Sequence, residues 1–286
     1  MNRRTFLKGA SAGIATTSLL GSKAVANSAK ELRVGLIGCG GRGTGAAMQA
    51  LNADPDVVLY AMGDLTADRL QQSHTGLTTT FGDRLQADST RQFVGFDAFE
   101  KVIEQVDVIL LATPPVFRPQ HLRAAIEAGC HVFCEKPVAV DGAGVRSVIE
   151  TAAMAQAKGL SLASGFCWRS AFGHRALYQR IHQGEIGKVV GVHATYMAGQ
   201  LWSKARQESW SDLDYQLRNW VYYTQLGGDH VVEQAIHSVD KILWAKSDET
   251  PSSVMASGGR QTRTEAKYGN IFDHFSAVYD WADGTQ

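Results

Sequence analysis

The sequence predicts an α/β protein: a Rossmann-type doubly wound parallel sheet followed by an α+β domain with an open, mainly antiparallel sheet. Three observations carry this. From Leu32 to Phe166, short apolar runs alternate with helix-length amphipathic segments, the pattern of a parallel sheet with crossover helices. The first of these runs breaks into Gly38-Cys39-Gly40-Gly41-Arg42-Gly43 and then into a helix-like stretch. Beyond Trp168 the texture changes to a half-buried alternation and aromatic loops.

The elements follow in order. Leu32 to Ile37 reads as the first strand, and Thr44 to Leu51 as the helix after the glycine turn. In such a turn the first glycine allows a tight bend and the second lets backbone approach a pyrophosphate. The third lets helix and strand pack closely, with helix-start amides facing the anion. Val57 to Met62 is a second strand ending near Asp64, the position of the acid that takes ribose hydroxyls in dinucleotide sites. Helical character is expected near Thr66 to Gln72, a loop through Thr75-Gly76 and Gly82-Asp83, a brief strand at Phe93 to Phe96, and a capped helix from Asp97 to Gln105. Val106 to Ala112 is a continuous apolar run suited to a strand buried on both faces, stopped by Thr113-Pro114-Pro115. A helix over Pro119 to Gly129, a strand over His131 to Cys134, a helix over Gly142 to Lys158 and a strand over Leu160 to Phe166 complete the first half.

In the second half a helix is expected at Phe172 to His182 and a half-buried strand at Val189 to Met197. An aromatic stretch runs from Trp202 to Tyr223, and Gly227-Gly228 opens a helix through Lys246. Strands at Ser253 to Gly259 and Phe272 to Trp281 lead into a hairpin signal at Ala282-Asp283-Gly284. A sheet stopping after a hairpin turn would leave an apolar edge unpaired, which suggests C-terminal truncation.

The N-terminus carries Arg3-Arg4-Thr5-Phe6-Leu7-Lys8, an apolar run over Gly9 to Gly21 and the small-residue site Ala24-Val25-Ala26. This is a twin-arginine export pattern, and its apolar run is too short and glycine-rich for a membrane span. The domain expectation is therefore a signal over 1–26, a nucleotide-binding domain over 27–168 and a substrate-binding domain over 169–286, with a periplasmic or otherwise exported location. Residues 1–26 hold four basic side chains and no acid, so without them 24 basic face 28 acidic side chains. A mildly acidic remainder disfavours nucleic-acid binding and points to a small-molecule partner. Cys39, Cys130, Cys134 and Cys167 show neither a C-x-x-C pair nor a zinc spacing, and are expected as free thiols.

Ala112-Thr113-Pro114-Pro115, Cys134-Glu135-Lys136-Pro137 and the run from Gly227 through His237 to Asp240 resemble the Gfo/Idh/MocA oxidoreductases. With the glycine turn, the resemblance covers essentially everything after the export pattern. It implies a nucleotide-binding domain followed by an open-faced sheet domain, with a sugar or polyol bound between them near the nicotinamide. It assigns His237 the proton-accepting role. Glu233 stands where the family usually has aspartate, Ala235 where glycine is common and Asp229 where a third glycine is. The longer carboxylate reaches about one methylene further, so the sugar pocket is laid out differently.

The residues themselves agree. Lys136 follows a parallel strand at its carboxyl end, where open α/β sheets place ligands, and an ammonium there could stabilise a developing alkoxide. Glu233 and His237 lie four apart on one helix face, and an imidazole titrates near neutrality. Candidate catalytic residues are Lys136, His237 and Glu233. Candidate cofactor contacts are Gly38, Gly40, Gly41, Arg42, Gly43, Asp64, Thr113, Pro114, Glu135 and Lys136. Arg169, His174, Arg218 and Trp220 are substrate candidates. Asp64 favours NAD over NADP, because a carboxylate repels a 2′-phosphate. No metal is expected: His230, Glu233 and His237 share a stripe but match no zinc signature. Asp240 either orients His237 or caps a surface, and Asp273-His274 is read as structural.

The first functional expectation is an exported NAD-dependent oxidoreductase acting on a secondary hydroxyl of a sugar, glycoside or cyclitol. A second keeps the site but oxidises only transiently, so that the net reaction is glycoside cleavage or elimination. A third is a dinucleotide-binding protein without catalysis. A homo-oligomer through the second-domain sheet is a further expectation.

Overall fold

A computed structural model describes residues 31–286; the twin-arginine pattern of residues 1–26 lies outside them. The nucleotide-binding half is a six-stranded sheet in the order β3-β2-β1-β4-β5-β6, every pairing parallel. This order reverses direction between β1 (Leu32–Ile37) and β4 (Val108–Leu111), and a ligand crevice opens at such a switch point. The other strands are β2 (Val57–Asp64), β3 (Gln92–Val94), β5 (His131–Cys134) and β6 (Leu162–Ser164).

The crossover helices are α1 (Gly41–Ala53), α2 (Ala67–Phe81), α3 (Ala98–Ile103), α4 (Arg118–Glu127) and α5 (Gly142–Ala157). They bury the sheet from both sides. One core joins Ile37, Ile109 and Leu111 to Leu122, Ile126 and Ala155; the other joins Leu36, Leu59 and Met62 to Ala47, Leu51 and Leu77. Gly35 is required by α3 packing, since a Cβ there would meet Val102 and Val106 at 2.6 and 2.9 Å. Cys39, Cys130 and Cys134 are buried free thiols and Cys167 is an exposed one.

The second half holds α6 (Phe172–His182), α7 (Asp212–Arg218), α8 (Thr224–Gly227), a π-helical turn (Val231–Ala235) running into α9 (Ile236–Ala245), and the antiparallel pair β7 (Ser253–Gly259) and β8 (His274–Asp280). Tyr178 of α6 stacks on Trp244 of α9 at 4.0 Å. Among the described residues no helix is long and apolar enough to cross a membrane.

Several expectations are corrected. The loop placed at Thr75-Gly76 is the middle of α2: Thr78, Thr79 and Thr80 hydroxyls donate to carbonyls four residues back, so the polar threonines stay within the helix. Helix α1 begins at Gly41, inside the glycine turn, rather than at Thr44. Asp97 makes no side-chain cap; its carboxylate pairs with Lys101 one turn on, at 2.7 Å. Val189 to Met197 is not a strand. Val192 N donates to Gln286 O, Ser238 Oγ to Thr195 O and Thr285 Oγ1 to Val189 O, and no ladder forms among the described residues. Alternation states which face a strand would bury but supplies no neighbour, and β7 and β8 pair only with each other.

The helix expected to open at Gly227-Gly228 does follow that pair, with helical turns running from Asp229 through the π turn to Ala245. Gly228 is left-handed and closes α8, and Asp229 also has positive φ. The Asp229 carboxylate accepts the His230 and Phe272 amides at 2.6 and 3.0 Å, fixing the start of the next helix against the approach to β8.

Candidate active site

The glycine turn is built by contact. Gly38 has φ +97°, and a Cβ would lie 2.7 Å from Ala112 C and Thr113 N at the end of β4. At Gly43 a Cβ would lie 1.8 Å from Gly38 O, so helix and strand meet as closely as backbone permits. Gly40 is the residue before α1, with no side chain capping the first helical amides, which leaves donors for an anion.

Asp64, at the end of β2, is buried beside this turn. Its Oδ2 accepts the Cys39 amide at 2.7 Å, and its Oδ1 accepts the Thr66 amide and hydroxyl at 2.8 and 3.1 Å. Three of the roughly four acceptor positions of a carboxylate are thereby used, and one is left for a ribose hydroxyl. A cleft of about 820 Å³ runs over Gly38, Gly43, Asp64, Thr113 and Pro114. A turn that tolerates no Cβ at Gly38 or Gly43, free helix-start amides and an acid at the end of β2 together fit a dinucleotide such as NAD.

The second centre lies at the end of β5. Glu135 N donates to Leu111 O, and the buried Glu135 carboxylate pairs with Arg42 of the glycine turn at 2.8 Å. Gly165 makes room for it, since a Cβ there would sit 2.6 Å from Glu135 Oε2. The next residue, Lys136, precedes a cis peptide to Pro137. Its Nζ donates to the Glu233 carbonyl and, at 3.1 Å, to Glu233 Oε1. Lys136 thus reaches the π turn that leads into α9, and π turns are frequent at functional sites.

His237 lies just beyond, its ring edge-on to Phe166 at 6.2 Å. Burial, then the positive charges of Lys136 and Lys241, push its pKa down, so the ring is neutral and able to accept a proton near pH 7. Among the described residues its buried Nδ1 has no hydrogen-bond partner. The amine and the imidazole predicted from sequence are therefore brought together by one helix. They stand outside the lining of the nucleotide cleft, and the Arg42–Glu135 pair joins the two regions.

The substrate candidates fall elsewhere. Arg169 is tied to Asp240 Oδ1 at 2.8 Å and to Asp248 at 2.5 Å, which gives Asp240 a structural partner as well. His174 lies against Trp168 at 4.8 Å. Arg218 and Trp220 line the nucleotide cleft instead, Arg218 holding Asp68 at 2.7 and 2.9 Å. Among the described residues no group of three or more His, Cys, Asp or Glu could hold a metal ion. Burial holds His230 below its usual pKa.

Two residues escaped the sequence reading. Arg118 is buried and donates to Thr113 O, Glu135 O and Pro137 O, so one guanidinium fixes the loops after β4 and β5 on both sides of Lys136. His121 stacks on Phe99 at 4.1 Å and on Phe117 at 5.8 Å, and burial pushes its pKa down to about 4. The apolar positions at Leu122, Ala125 and Ile126 located the buried face of α4, and His121 adjoins it; nothing in the spacing singled out Arg118.

Comparison with known proteins bears on the family and the fold. Inositol 2-dehydrogenase 4 of Saccharopolyspora erythraea is 30% identical over 169 residues, 58% of this chain and 46% of that protein. The 1,5-anhydro-D-fructose reductase of Ensifer adhaerens is 27% identical, covering 53% of this chain and 41% of its own length. The chain thus spans less than half the length of these two relatives. In fold it is similar to GenD2 of gentamicin A biosynthesis, solved in complex with NAD, with a TM-score of 0.65 at 21% identity over 96% of this chain and 67% of that one. It is also similar to scyllo-inositol dehydrogenase of Lactobacillus casei, with a TM-score of 0.64 at 19% identity over 90% and 66%. An "Oxidoreductase family, NAD-binding Rossmann fold" model matches residues 32–166 and a "GFO/IDH/MocA C-terminal domain" model matches residues 174–286, so the chain belongs to the Gfo/Idh/MocA oxidoreductase family.

Proposed function

We propose that the protein is an exported NAD-dependent oxidoreductase that removes hydride from a secondary hydroxyl of a sugar, glycoside or cyclitol. The observation that carries this is the meeting of Lys136 with Glu233 on the helix of His237, whose Nδ1 has no partner among the described residues, next to a turn shaped for a dinucleotide. Gly38, Gly40, Gly43 and Asp64 would hold NAD, which supplies the hydride acceptor when bound.

The chain's own groups then divide the remaining work. His237 accepts the hydroxyl proton on a ring nitrogen, a task suited to an imidazole kept neutral by burial and nearby cations. Lys136 donates to the oxygen as negative charge grows there, and Glu233 holds its ammonium in place. Arg118 positions Lys136 through the carbonyls of Glu135 and Pro137, which flank it. The Arg3-Arg4 pattern supports export, and fractionation of cells expressing the full chain tests it.

The central test is NAD reduction with a panel of glycosides and cyclitols. Lys136→Ala is expected to lower kcat by about 10²- to 10⁴-fold. Full turnover in that variant would remove the mechanism.

A further inference from the structure

The nucleotide cleft has a second wall, which brings Lys204 and Arg218 to it along with one acid, Asp214. It comes from the aromatic stretch after Gln200, which carries Trp202, Lys204 and Arg218 to the cleft. The stretch is stitched to itself. Fully buried Asn219 accepts the Lys204 amide through Oδ1 at 2.7 Å, and its Nδ2 donates to Lys204 O and Tyr215 O at 3.2 and 3.1 Å. Tyr222 Oη donates to Leu201 O at 2.9 Å.

It is also fastened to the first half of the chain. Arg218 holds both oxygens of Asp68 at the start of α2, and Arg69 Nη2 donates to Arg218 O at 3.4 Å. The geometry of the pair is bidentate, the strongest form of this contact. The Trp210 ring lies under the same guanidinium at 4.6 Å.

Two cations facing this cleft make no ion pair among the described residues. Arg69 Nη1 comes within 3.8 Å of where a Gly40 Cβ would be, over the second glycine of the turn. Lys204 is the other. Partial desolvation on the cleft side of this otherwise exposed residue, together with the charges of Arg69 and Arg218, pushes its pKa down, while Asp68 and Asp64 act in the opposite sense. Like charges gathered beside an anion cradle are relieved when an anion enters.

We propose that Arg69 and Lys204 grip phosphate oxygens of the bound dinucleotide together with the glycine turn, and that the Arg218–Asp68 pair latches this second wall shut, so that the nucleotide is retained rather than exchanged. The inference rests on the nucleotide-binding reading above and deepens it.

The test is release of bound NADH, followed by fluorescence on displacement with excess NAD, for wild type, Lys204→Ala, Arg69→Gln and Asp68→Asn. Lys204 is exposed, so its variant is expected to fold as the wild type does. Release should quicken about tenfold or more in Lys204→Ala and Arg69→Gln, because each loses a charge-assisted contact. Asp68→Asn should speed both entry and release, the mark of an opened latch. A parallel arm with NADPH separates the two phosphate sources: an effect on both cofactors assigns the grip to the pyrophosphate, and one on NADPH alone assigns it to the 2′-phosphate. Release within twofold of wild type in every variant, for both cofactors, overturns the proposal while leaving nucleotide binding intact. A wild type that binds neither cofactor overturns this proposal and the functional reading with it.

Discussion

Replacing Gly43 by alanine, and Gly45 two residues later by alanine, should move stability in opposite directions. At Gly43 the new methyl would stand 1.8 Å from Gly38 O, 3.0 Å from Gly38 C and 3.2 Å from Leu36 Cδ1. The first of these is roughly half an ordinary non-bonded separation of about 3.5 Å. The atom in the way is backbone, held by Gly38 N donating to Gly63 O at 2.8 Å, so no side-chain rotation relieves the clash. Helix α1 must therefore shift away from the turn, at a cost of about 3 kcal/mol, the upper range for overpacking. At about 2–4 °C per kcal/mol, Tm should fall by roughly 6–12 °C. The same shift moves the first amides of α1, so NAD affinity should fall as well. At Gly45 nothing lies within 4 Å of the added methyl and φ is negative, so alanine removes only the entropic handicap of glycine in a helix. That stabilises by about 0.5–1 kcal/mol. Thermal unfolding and NAD titration of the two variants read both effects. Equal Tm values for Gly43→Ala and Gly45→Ala would refute the close-approach argument.

Other outcomes are expected from the same structure. The fold holds His121 neutral, with its pKa pushed from 6.5 down to about 4. The unfolded chain takes up the proton first, so this stability is complete above pH 6.5 and is lost as pH falls toward 4, by about 3 kcal/mol in all. His121→Gln should flatten the Tm profile across that window, and an unchanged profile would show that other groups set it. Arg169→Ala leaves buried Asp240 without its cation and should lower Tm, at a cost of roughly 1–3 kcal/mol, with kcat for the folded enzyme unchanged; a fall in kcat at constant Tm would return Arg169 to the substrate. Lys241 helps to hold His237 below its usual pKa, so Lys241→Gln should move the acid limb of the kcat/KM profile to higher pH. A limb that stays in place would argue against His237 as the base.

The first half of the chain was legible because its signals are local. Val34 to Ile37, most of Val57 to Asp64, and Ile109 to Leu111 are buried on both faces, and a parallel sheet leaves such runs few alternatives. The glycine turn, Asp64 and Lys136 follow from strand ends, so their positions were readable as soon as the strands were. His237 and Glu233 came from the family resemblance, and their four-residue spacing places them together on the π turn and α9 that Lys136 reaches.

The errors share a different cause. Val189 to Met197 alternates as a strand should, yet pairing is a property of two segments, and among the described residues no strand forms a ladder with this one. Arg169, Arg218 and Arg118 look alike in sequence, each an arginine near an element end. What distinguishes them is the acceptor each one meets: two carboxylates from α9 and the turn after it, one carboxylate from α2, and three backbone carbonyls around Lys136. None of those acceptors is within reach along the chain except Thr113, so an arginine's role here is set by tertiary neighbours that spacing does not encode. The same reasoning explains why the wall of the cleft formed by Lys204 and Arg218 could not be read in advance. Its attachment to the first half runs through the contact between Asp68 and Arg218, 150 residues apart, which no local pattern announces.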